Sequence, residues 1–439
     1  MKEFYAKSIL LMLDIFAISL SLYLAYLSRL LLDDYFSISF NHSPSMYLFF
    51  PLPYIIILVA FFFEGIYTKR YDFWQESKQI FRSLGLSFLI IMSILALTHN
   101  IGNFSRAVIV FSFLYMLFII PLFKNLSKKW LAKIGLWQRE AKIVGGDVFL
   151  SKEIFGNPYL GYIKENSAKA QTVFINSQNV TLHELRQIIS NEIQQHHEVI
   201  FIPLINDYDM TQSHIYELSN ARTNLIVFQN RLKSRYRRVI QQGFNYFLAI
   251  MLLPFLLPMI AIIAVLIKSE SEGPVFFVHE RIGQNGKIIP TLKFRSMYKD
   301  AQKRLDKLLK NDPHIKDEWE KNFKLKDDPR VTKIGHFLRK TSLDELPQIF
   351  NVLKGEMHFV GPRPVVEKEL ELYYQKDAEY YFMVKPGITG LWQVSGRSDT
   401  DYRFRVMTDK WYVRNWSLWL DIIILFKTIK VVLLRKGAY

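Results

Sequence analysis

Four apolar stretches fill the first third of the chain, at about residues 8–27, 46–63, 81–98 and 105–123. Each has roughly the 20 residues that a helix needs to cross the hydrocarbon core of a bilayer. A soluble bundle of buried helices is the alternative interpretation, but all four stretches are nearly uncharged, which favours the membrane. The pattern therefore predicts four transmembrane helices within residues 1–125.

The segments around these stretches differ in charge. Cations precede the first stretch, occur in the second link, which joins the second and third stretches, and follow the fourth stretch. They are Lys2, Lys7, Lys69, Arg70, Lys78, Arg82, Lys124, Lys128, Lys129, Lys133 and Arg139. Because positively charged loops stay on the cytoplasmic side, we expect the N-terminus, the second link and everything after residue 124 to face the cytoplasm.

Residues 140–230 have a different pattern, in which short β-like runs alternate with polar helical segments. The runs are AKIVGG, TVFIN, EVIFIPL and NLIVF. This rhythm predicts a small Rossmann-like α/β module with a parallel sheet. Gly145-Gly146 follows the first run, but the full G-x-G-x-x-G fingerprint is missing, so we predict no bound dinucleotide. The module is a candidate regulatory or assembly surface, and a homodimer is expected.

A fifth apolar stretch runs from Phe244 to Ile267 and contains Pro254 and Pro258. Basic segments flank it on both sides, so both flanks are cytoplasmic by charge. Proline breaks or kinks helices. We therefore predict a re-entrant helix at 244–267 that bends near the prolines and returns to the same face. A proline-kinked spanning helix is the alternative.

The remainder of the chain completes the predicted architecture. Residues 235–439 form a third, mixed α/β domain, and its last helix, at about 417–435, carries too many charges to span and is expected to lie at the membrane interface. The fold class is thus a membrane-anchored α/β protein. It combines a four-helix transmembrane bundle, a small α/β parallel-sheet module, and a mixed α/β domain with a proline-broken re-entrant helix and interfacial helices.

The amino-acid composition limits which classes of partner the chain is expected to bind. The net charge of +16 indicates anionic partners such as phospholipid headgroups, nucleotides or sugar phosphates, and we expect no nucleic acid. The chain has no cysteine, which excludes disulfides and thiolate metal sites.

The candidate chemistry lies in TSLDEL, where Asp344 and Glu345 are adjacent. Ser342 and Glu345 match the S-x-x-E capping box, which would place both acids in the first turn of a helix. Carboxylates there can simply stabilise the helix dipole. The cations Arg339 and Lys340, however, indicate phosphate chemistry. Glu345 is then a candidate Mg²⁺ ligand, and Asp344 a candidate nucleophile, because aspartates form acyl phosphates.

Other cations and a second acidic motif complete the candidates. The prolines of Gly361-Pro362-Arg363-Pro364 restrict the backbone around an arginine suited to anions, although a structural turn is an equal interpretation. Lys293 and Arg295 follow an apparent strand. Asp399-Thr400-Asp401 has the D-x-D form that many glycosyltransferases use to hold a metal, but so short a motif in a polar loop is weak.

With these residues identified, the chain resembles the bacterial polyprenyl-phosphate hexose-1-phosphate transferases, specifically the large monotopic phosphoglycosyl transferases. The resemblance covers about residues 235–439. The motifs that carry it are KSESEGPVFFVHERIGQNGK, LKFRSM, DDPRVTKIGHFLRKTSLDELPQIFNVLKGEMHFVGPRP, VKPGITGLWQVSGR and NWSLWLD. Two positions depart from the family pattern: many members have Asp at the position of Asn245 and Ser at that of Leu257.

The resemblance implies that a sugar 1-phosphate moves from a UDP-sugar to undecaprenyl phosphate on the cytoplasmic face of the bacterial inner membrane, releasing UMP. It implies a covalent intermediate on Asp344 and Mg²⁺ held by Glu345. Phosphates would be bound by cationic side chains, namely Arg339, Lys293, Arg295, Arg363, Arg397 and Lys340. The expected role is the first step of O-antigen, capsule or exopolysaccharide synthesis, in contact with inner-membrane lipids.

Two rival hypotheses remain open. A glycosyltransferase would move the sugar alone, hold a metal through Asp399 and Asp401, and release UDP. A catalytically silent scaffold for polysaccharide assembly would have no need of the acid pair. The sequence does not identify the sugar.

Overall fold

The computed structural model describes residues 2–36, 40–98, 104–145, 148–165, 170–177, 181–202, 214–218, 223–227, 232, 234–311, 328–396 and 401–433. The chain divides into two compact units, Met1–Asp209 and Met210–Tyr439.

The first unit begins with apolar helices. They are α1 (Lys2–Leu31), α2 (Pro44–Leu48), α3 (Pro51–Phe63), α4 (Phe73–Leu97) and α5 (Arg106–Lys133). These helices contain the predicted apolar stretches, apart from Thr98 and Ser105 at the ends of two stretches and from Phe49 and Phe50, which separate α2 from α3. In the described part of the chain, five segments are long and apolar enough to cross a membrane: Lys2–Leu31, Pro44–Phe63, Phe73–Leu97, Arg106–Lys133 and Arg235–Glu270.

Two ion pairs lie inside the helical bundle. Lys124 of α5 contacts Asp14 of α1 with an N–O distance of 2.6 Å, and both side chains are 1% exposed. Tyr67 also donates a hydrogen bond to Asp14, at 2.6 Å. In the second pair, Lys128 contacts Glu76 of α4, and both side chains are fully buried. Each charge has a partner because an isolated charge in an apolar interior is strongly unfavourable.

A four-stranded parallel sheet follows, as the sequence predicts, but the predicted run NLIVF is not one of its strands, because Thr223–Val227 pairs antiparallel with His214–Leu218. The elements are β1 (Arg139–Val144), α6 (Val148–Phe155), β2 (Tyr162–Lys164), β3 (Thr172–Asn176), α7 (Leu182–Gln195) and β4 (Glu198–Ile202). The strand order is β2-β1-β3-β4. Gly145 ends β1 with a φ of +87°, and a Cβ atom there would lie 2.9 Å from the carbonyl oxygen of Asn176. The close turn therefore requires glycine.

Side chains join this sheet to the helices of the same unit. The Tyr159 hydroxyl donates to Glu76 at 2.5 Å, while the Trp137 indole donates to the carbonyl of Tyr159 at 2.9 Å. Lys128 lies over both aromatic rings, at 4.7 and 4.8 Å. The buried pair Glu76–Lys128 is thus shared between the bundle and the α/β module.

The second unit begins with an antiparallel hairpin and a long helix. The hairpin is β5 (His214–Leu218) and β6 (Thr223–Val227), and the helix is α8 (Arg235–Glu270). The predicted break at the prolines does not form: the segment 244–267 is part of a longer, continuous 36-residue helix that contains both prolines. Its buried residues cluster towards its two ends, up to Ala249 and again from Ile260.

The rest of the unit is mixed α and β around one main hydrophobic core. Its elements are β7 (Phe276–Ile282), β8 (Ile288–Phe294), α9 (Ala301–Asn311), α10 (Lys333–Thr341), a 3₁₀ helix (Leu343–Gln348), α11 (Ile349–Leu353), β9 (His358–Val360), α12 (Glu367–Glu369), α13 (Ala378–Phe382), β10 (Gly387–Thr389), α14 (Leu391–Ser395), α15 (Tyr402–Arg414) and α16 (Leu418–Leu433). β7 and β8 pair antiparallel, and β9 and β10 pair parallel. The core packs α8 and β8 with α10, α11 and the last two helices.

Candidate active site

The acid pair lies at the junction of α10 and the 3₁₀ helix. Asp344 and Glu345 occupy the first turn of that helix, as the sequence predicts. The predicted capping box, however, does not form. Ser342 has a φ of 57°, closes α10 as its left-handed C-cap, and makes no side-chain cap to the next helix. The Glu345 carboxylate instead accepts hydrogen bonds from cationic side chains.

Two predicted cations meet Glu345. Lys293 Nζ lies 2.7 Å from Glu345 Oε1 and 3.8 Å from Asp344 Oδ2. Arg363 Nη2 lies 3.3 Å from the same Glu345 oxygen. The side chains of the two acids are 16% and 17% exposed, so the cluster is largely buried but open to solvent on one side. The structure thus brings together Lys293, Asp344, Glu345 and Arg363.

Arg339 stands on the last turn of α10, where its charge acts on Asp344. Its Nε donates to the hydroxyl of Ser296 at 2.9 Å, which fixes the guanidinium plane. This contact depends on a close approach, since a Cβ atom at Gly335 would lie only 2.0 Å from the carbonyl oxygen of Ser296. Glycine at 335 therefore allows α10 to pack against the end of β8.

The environment of Asp344 shifts the pKa of its carboxyl upwards. Burial raises the pKa of the Asp344 carboxyl above its usual range, and the adjacent Glu345 carboxylate raises it further. Lys293, Arg339 and Arg363 act in the opposite direction. A carboxylate with a raised pKa is a more basic nucleophile, and it gains stability when further positive charge arrives.

The other predicted substrate-binding residues are Arg295, Lys340 and Arg397. Arg295 is buried and donates to the carbonyl of Ser271 at 2.7 Å and to its hydroxyl at 2.8 Å, so it ties the end of β8 to the end of α8. Lys340 is exposed on α10. Arg397 lies outside the described residues.

Two residues that the sequence analysis missed position this cluster. The side chain of Asn351, which is fully buried, accepts from Leu292 N at 3.0 Å and donates to Pro290 O at 2.8 Å. It thereby fixes β8 beside α11 and sets Lys293 opposite Glu345. Glu270, at the end of α8, accepts from the backbone N–H groups of Lys333 and Ile334 at 2.7 and 2.9 Å, which caps α10. No local pattern signals either contact, because each partner is distant in sequence.

A second layer of charge supports Arg363. Arg405 donates to the carbonyl of Arg363 at 3.2 Å. Its guanidinium lies 3.6 Å from Glu369 and 3.9 Å from Asp409. Tyr374 donates to Asp409 at 2.6 Å. This buried network therefore holds the backbone that presents Arg363 to the acid pair.

The strand that leads into Arg363 is supported by a buried carboxyl. Asp421 is 1% exposed and lies 2.8 Å from the Tyr412 hydroxyl and 3.0 Å from the Trp416 indole nitrogen. The same hydroxyl lies 3.2 Å from the carbonyl of Val360. Tyr412 has one proton for two acceptors. A protonated Asp421 resolves this, because it can donate to Tyr412 while Tyr412 donates to Val360. Burial accordingly raises the pKa of Asp421 to about 7.

We expect this carboxyl to make stability depend on pH. The ordinary pKa of 3.8 applies in the unfolded chain, so between that value and about 7 the folded chain binds more protons. The stability that this carboxyl contributes is then present in full below its ordinary pKa, falls as the pH rises and is lost by about pH 7. Asp421→Asn, which keeps a donor towards Tyr412, should reduce this slope in thermal unfolding scans from about pH 5 to 8. Asp306→Asn, on the exposed face of α9, should leave the slope unchanged. An unaltered slope in Asp421→Asn would contradict the assignment.

The D-x-D motif has a structural contact in the described residues. Asp401 is the N-cap of α15 and accepts from Phe404 N at 2.8 Å. Asp399 lies outside the described residues.

The two carboxylates of the acid pair are oxygen ligands of the kind that Mg²⁺ binds. Mg²⁺ is bound in proteins through one or two carboxylates, with waters and phosphate oxygens completing its shell. Two adjacent carboxylates, one with a raised pKa, provide that arrangement. Among the described residues there is no group of three or more His, Cys, Asp or Glu side chains that could hold a metal by itself. The donor set therefore fits Mg²⁺ bound together with a phosphate group.

Comparisons with known proteins give the family. Residues 236–435 match the bacterial sugar transferase family. The chain is 38% identical over 417 residues to the undecaprenyl-phosphate galactose phosphotransferase of Salmonella typhimurium, covering 88% of this chain and 87% of that protein. It is 37% identical over 421 residues to the UDP-galactose-lipid carrier transferase of Erwinia amylovora, with the same coverage. It is 30% identical to the UDP-glucose:undecaprenyl-phosphate glucose-1-phosphate transferase of Klebsiella pneumoniae, covering 98% of this chain and 97% of that protein. The chain therefore belongs to the family of bacterial sugar transferases that includes the undecaprenyl-phosphate galactose and glucose phosphotransferases.

Proposed function

We propose that this protein transfers a hexose 1-phosphate from a UDP-sugar to undecaprenyl phosphate and releases UMP. The donor and acceptor are those in the names of its relatives from Salmonella typhimurium and Klebsiella pneumoniae. The observation that carries the proposal is the acid pair in contact with Lys293 and close to Arg363. A carboxylate among cations matches the needs of phosphoryl transfer, in which charge on the transferring group must be neutralised.

In the first step, an ionised Asp344 oxygen attacks the phosphorus that carries the sugar. An acyl–phosphate bond forms while the bond from this phosphorus to the bridging oxygen breaks. UMP departs with that oxygen and its electron pair. Arg339, Lys293 and Arg363 neutralise the phosphate oxygens, and Ser296 holds the Arg339 guanidinium in place. The raised pKa of Asp344 suits a nucleophile whose charge is stabilised only when the other groups are assembled.

In the second step, an oxygen of undecaprenyl phosphate attacks the same phosphorus. The acyl–phosphate bond breaks, the Asp344 carboxylate is regenerated, and the sugar 1-phosphate is now joined to the lipid phosphate. The same cations serve both steps, because the transferring phosphorus stays in place while the leaving and entering groups change. Glu345 would hold Mg²⁺ with the phosphate oxygens, and the metal would supply additional charge neutralisation there.

The proposal includes delivery of the lipid by α8 as a re-entrant helix. Near its start, the buried Asn245 accepts from Phe359 N at 2.7 Å, and at its end Glu270 caps α10. Both ends therefore bind elements of one compact unit. Exposed apolar side chains such as Phe255 lie between them. A helix held at both ends by a cytoplasmic domain enters and leaves the membrane on one face, where the lipid phosphate lies.

Product identity tests the proposal. The full chain, purified in nanodiscs, is incubated with undecaprenyl phosphate, Mg²⁺ and a panel of UDP-sugars, and the released nucleotide is measured. We expect UMP with one sugar of the panel, loss of activity with EDTA, and recovery when Mg²⁺ is restored.

The rival mechanisms give different results. Release of UDP, together with loss of activity in Asp401→Ala, would replace the proposal by simple glycosyl transfer. Activity that persists in EDTA would exclude a role for Mg²⁺ in the reaction.

The cytoplasmic orientation in the inner membrane and the expected homodimer belong to the same proposal. Cysteine labelling of single-cysteine variants of this cysteine-free chain tests the orientation, and mass photometry tests the homodimer.

A further inference from the structure

A polar cavity lies at the start of α8, apart from the acid pair. Its volume is about 370 Å³, and its lining includes Arg235, Arg238, Gln242, His358 and Lys385. In the described part of the chain, the ion pairs of Asp344 and Glu345 are made with Lys293 and Arg363, which do not line this cavity. The catalytic proposal therefore leaves this cluster of cations without a role.

His358 is the most constrained member of the cluster. It is only 5% exposed, and its Nε2 lies 3.1 Å from Gln242 Oε1. Lys385 Nζ donates to the same oxygen at 2.5 Å. Gln242 Oε1 is a hydrogen-bond acceptor, because Lys385 donates to it. The His358 nitrogen beside this oxygen must therefore be a donor, so we assign the histidine proton to Nε2. Burial and the nearby lysine lower the pKa of His358 to about 3, which keeps it neutral.

Some buried polar atoms on residues that line the cavity have no hydrogen-bond partner among the described residues. His358 Nδ1 is buried and has no hydrogen-bond partner among the described residues, and the same holds for the Gln242 Nε2 donor. Arg235 and Arg238 contribute two cations at the open side. Together these groups match an anion that also carries a hydroxyl group: its charge meets the arginines and Lys385, and its hydroxyl donates to Nδ1.

The position of the cavity indicates the source of such an anion. Arg238 precedes the apolar segment at Phe244 by fewer than two helical turns. Tyr236 and Val239, on the same turns, are 73% and 62% exposed, which is the pattern of a segment at the membrane interface. Cations at this depth meet phospholipid headgroups.

We propose that this cavity binds the headgroup of an anionic phospholipid whose phosphate diester carries a hydroxylated substituent, the glycerol phosphate headgroup being the simplest case. The arginines and Lys385 bind the phosphate, and His358 accepts from the substituent hydroxyl. The bound lipid fixes the first turns of α8 at headgroup depth.

The test compares two lipids of equal charge. Phosphatidylglycerol and phosphatidylmethanol are both phosphate diesters, but only the first has free hydroxyls. Binding to the full chain in detergent is measured by native mass spectrometry, with phosphatidylcholine as the neutral reference. We expect phosphatidylglycerol to bind about tenfold more tightly than phosphatidylmethanol, which is the factor for about one hydrogen bond in a buried site. Equal binding of the two would overturn hydroxyl recognition.

Variants locate the site. The double variant Arg235→Gln/Arg238→Gln should weaken binding of both anionic lipids by about tenfold or more. Lys299→Gln/Lys303→Gln removes the same charge from exposed positions and should leave binding unchanged. Equal effects of the two double variants would place the lipid elsewhere. His358→Gln, which keeps a donor towards Gln242, should abolish the preference for phosphatidylglycerol.

A soluble competitor distinguishes the lipid from a free phosphate ester. Glycerol 3-phosphate carries a phosphate and free hydroxyls as this headgroup does, but it is a monoester without acyl chains. We expect it to displace phosphatidylglycerol only in large excess. Displacement at equal concentration would show that the cavity takes a soluble phosphate ester and would overturn the lipid assignment.

Discussion

Replacing Asp344 with Asn should reduce UMP release by at least about a thousandfold, because the amide cannot form the acyl–phosphate bond. The Asp344→Asn variant should nevertheless remain folded. Burial and Glu345 already disfavour the charged form of Asp344, so a neutral isostere relieves repulsion. The thermal midpoint of Asp344→Asn should therefore equal or exceed that of the unmodified protein.

The covalent step can be measured directly. When a UDP-sugar labelled in the sugar is added without undecaprenyl phosphate, the unmodified protein should retain label after denaturation, and Asp344→Asn should not. Asp306→Asn, an exposed carboxylate on α9, is the matched control and should retain both activity and label. Normal UMP release by Asp344→Asn would exclude Asp344 as the nucleophile.

Replacing Lys124 with Met should destabilise the protein by about 3–5 kcal/mol, the cost of breaking a buried ion pair from one side. The remaining Asp14 would then have Tyr67 as its one described hydrogen-bond partner. The fraction of protein that stays monodisperse after heating in detergent reports this change. The double variant Asp14→Leu/Lys124→Met should recover most of the loss, since no unpaired charge is left.

A neighbouring lysine provides the control for this prediction. Lys129 lies on the same helix, but it is exposed. Lys129→Met makes the same chemical change and should alter stability by less than about 0.5 kcal/mol. If the two variants behaved alike, the Asp14–Lys124 pair would contribute nothing specific to the bundle.

Features with a local cause could be predicted from the sequence. Hydrophobicity alone predicts the apolar helices, because a helix satisfies its own backbone groups. The strand–helix rhythm predicts the parallel sheet. The spacing in TSLDEL correctly places Asp344 and Glu345 in the first turn of a helix. It gives the wrong capping contact, because the capping-box pattern ignores α10, whose left-handed end at Ser342 uses the same residue.

Features with a distant cause could not be predicted. Asn351 and Pro290 are separated by 61 positions, while Arg405 and Arg363 are separated by 42. Nothing near Asn351 or Arg405 shows that each holds a site residue. The charge count also treats Lys124 and Lys128 as exposed topology signals, whereas in the folded chain both are buried in ion pairs.

One of these lysines, Lys124, has a consequence for the biogenesis of the protein. Asp14 and Lys124 are 110 positions apart, so α1 is synthesised long before its partner helix. Until α5 emerges from the ribosome, the Asp14 carboxylate has no lysine and is costly in the lipid. Under the proposed orientation, Lys124 would act at two times: first as one of the cations that favour the cytoplasmic side for the end of α5, and later as the partner of Asp14 when α1 packs against α5. Assembly of the bundle is then complete only when its last helix has been made.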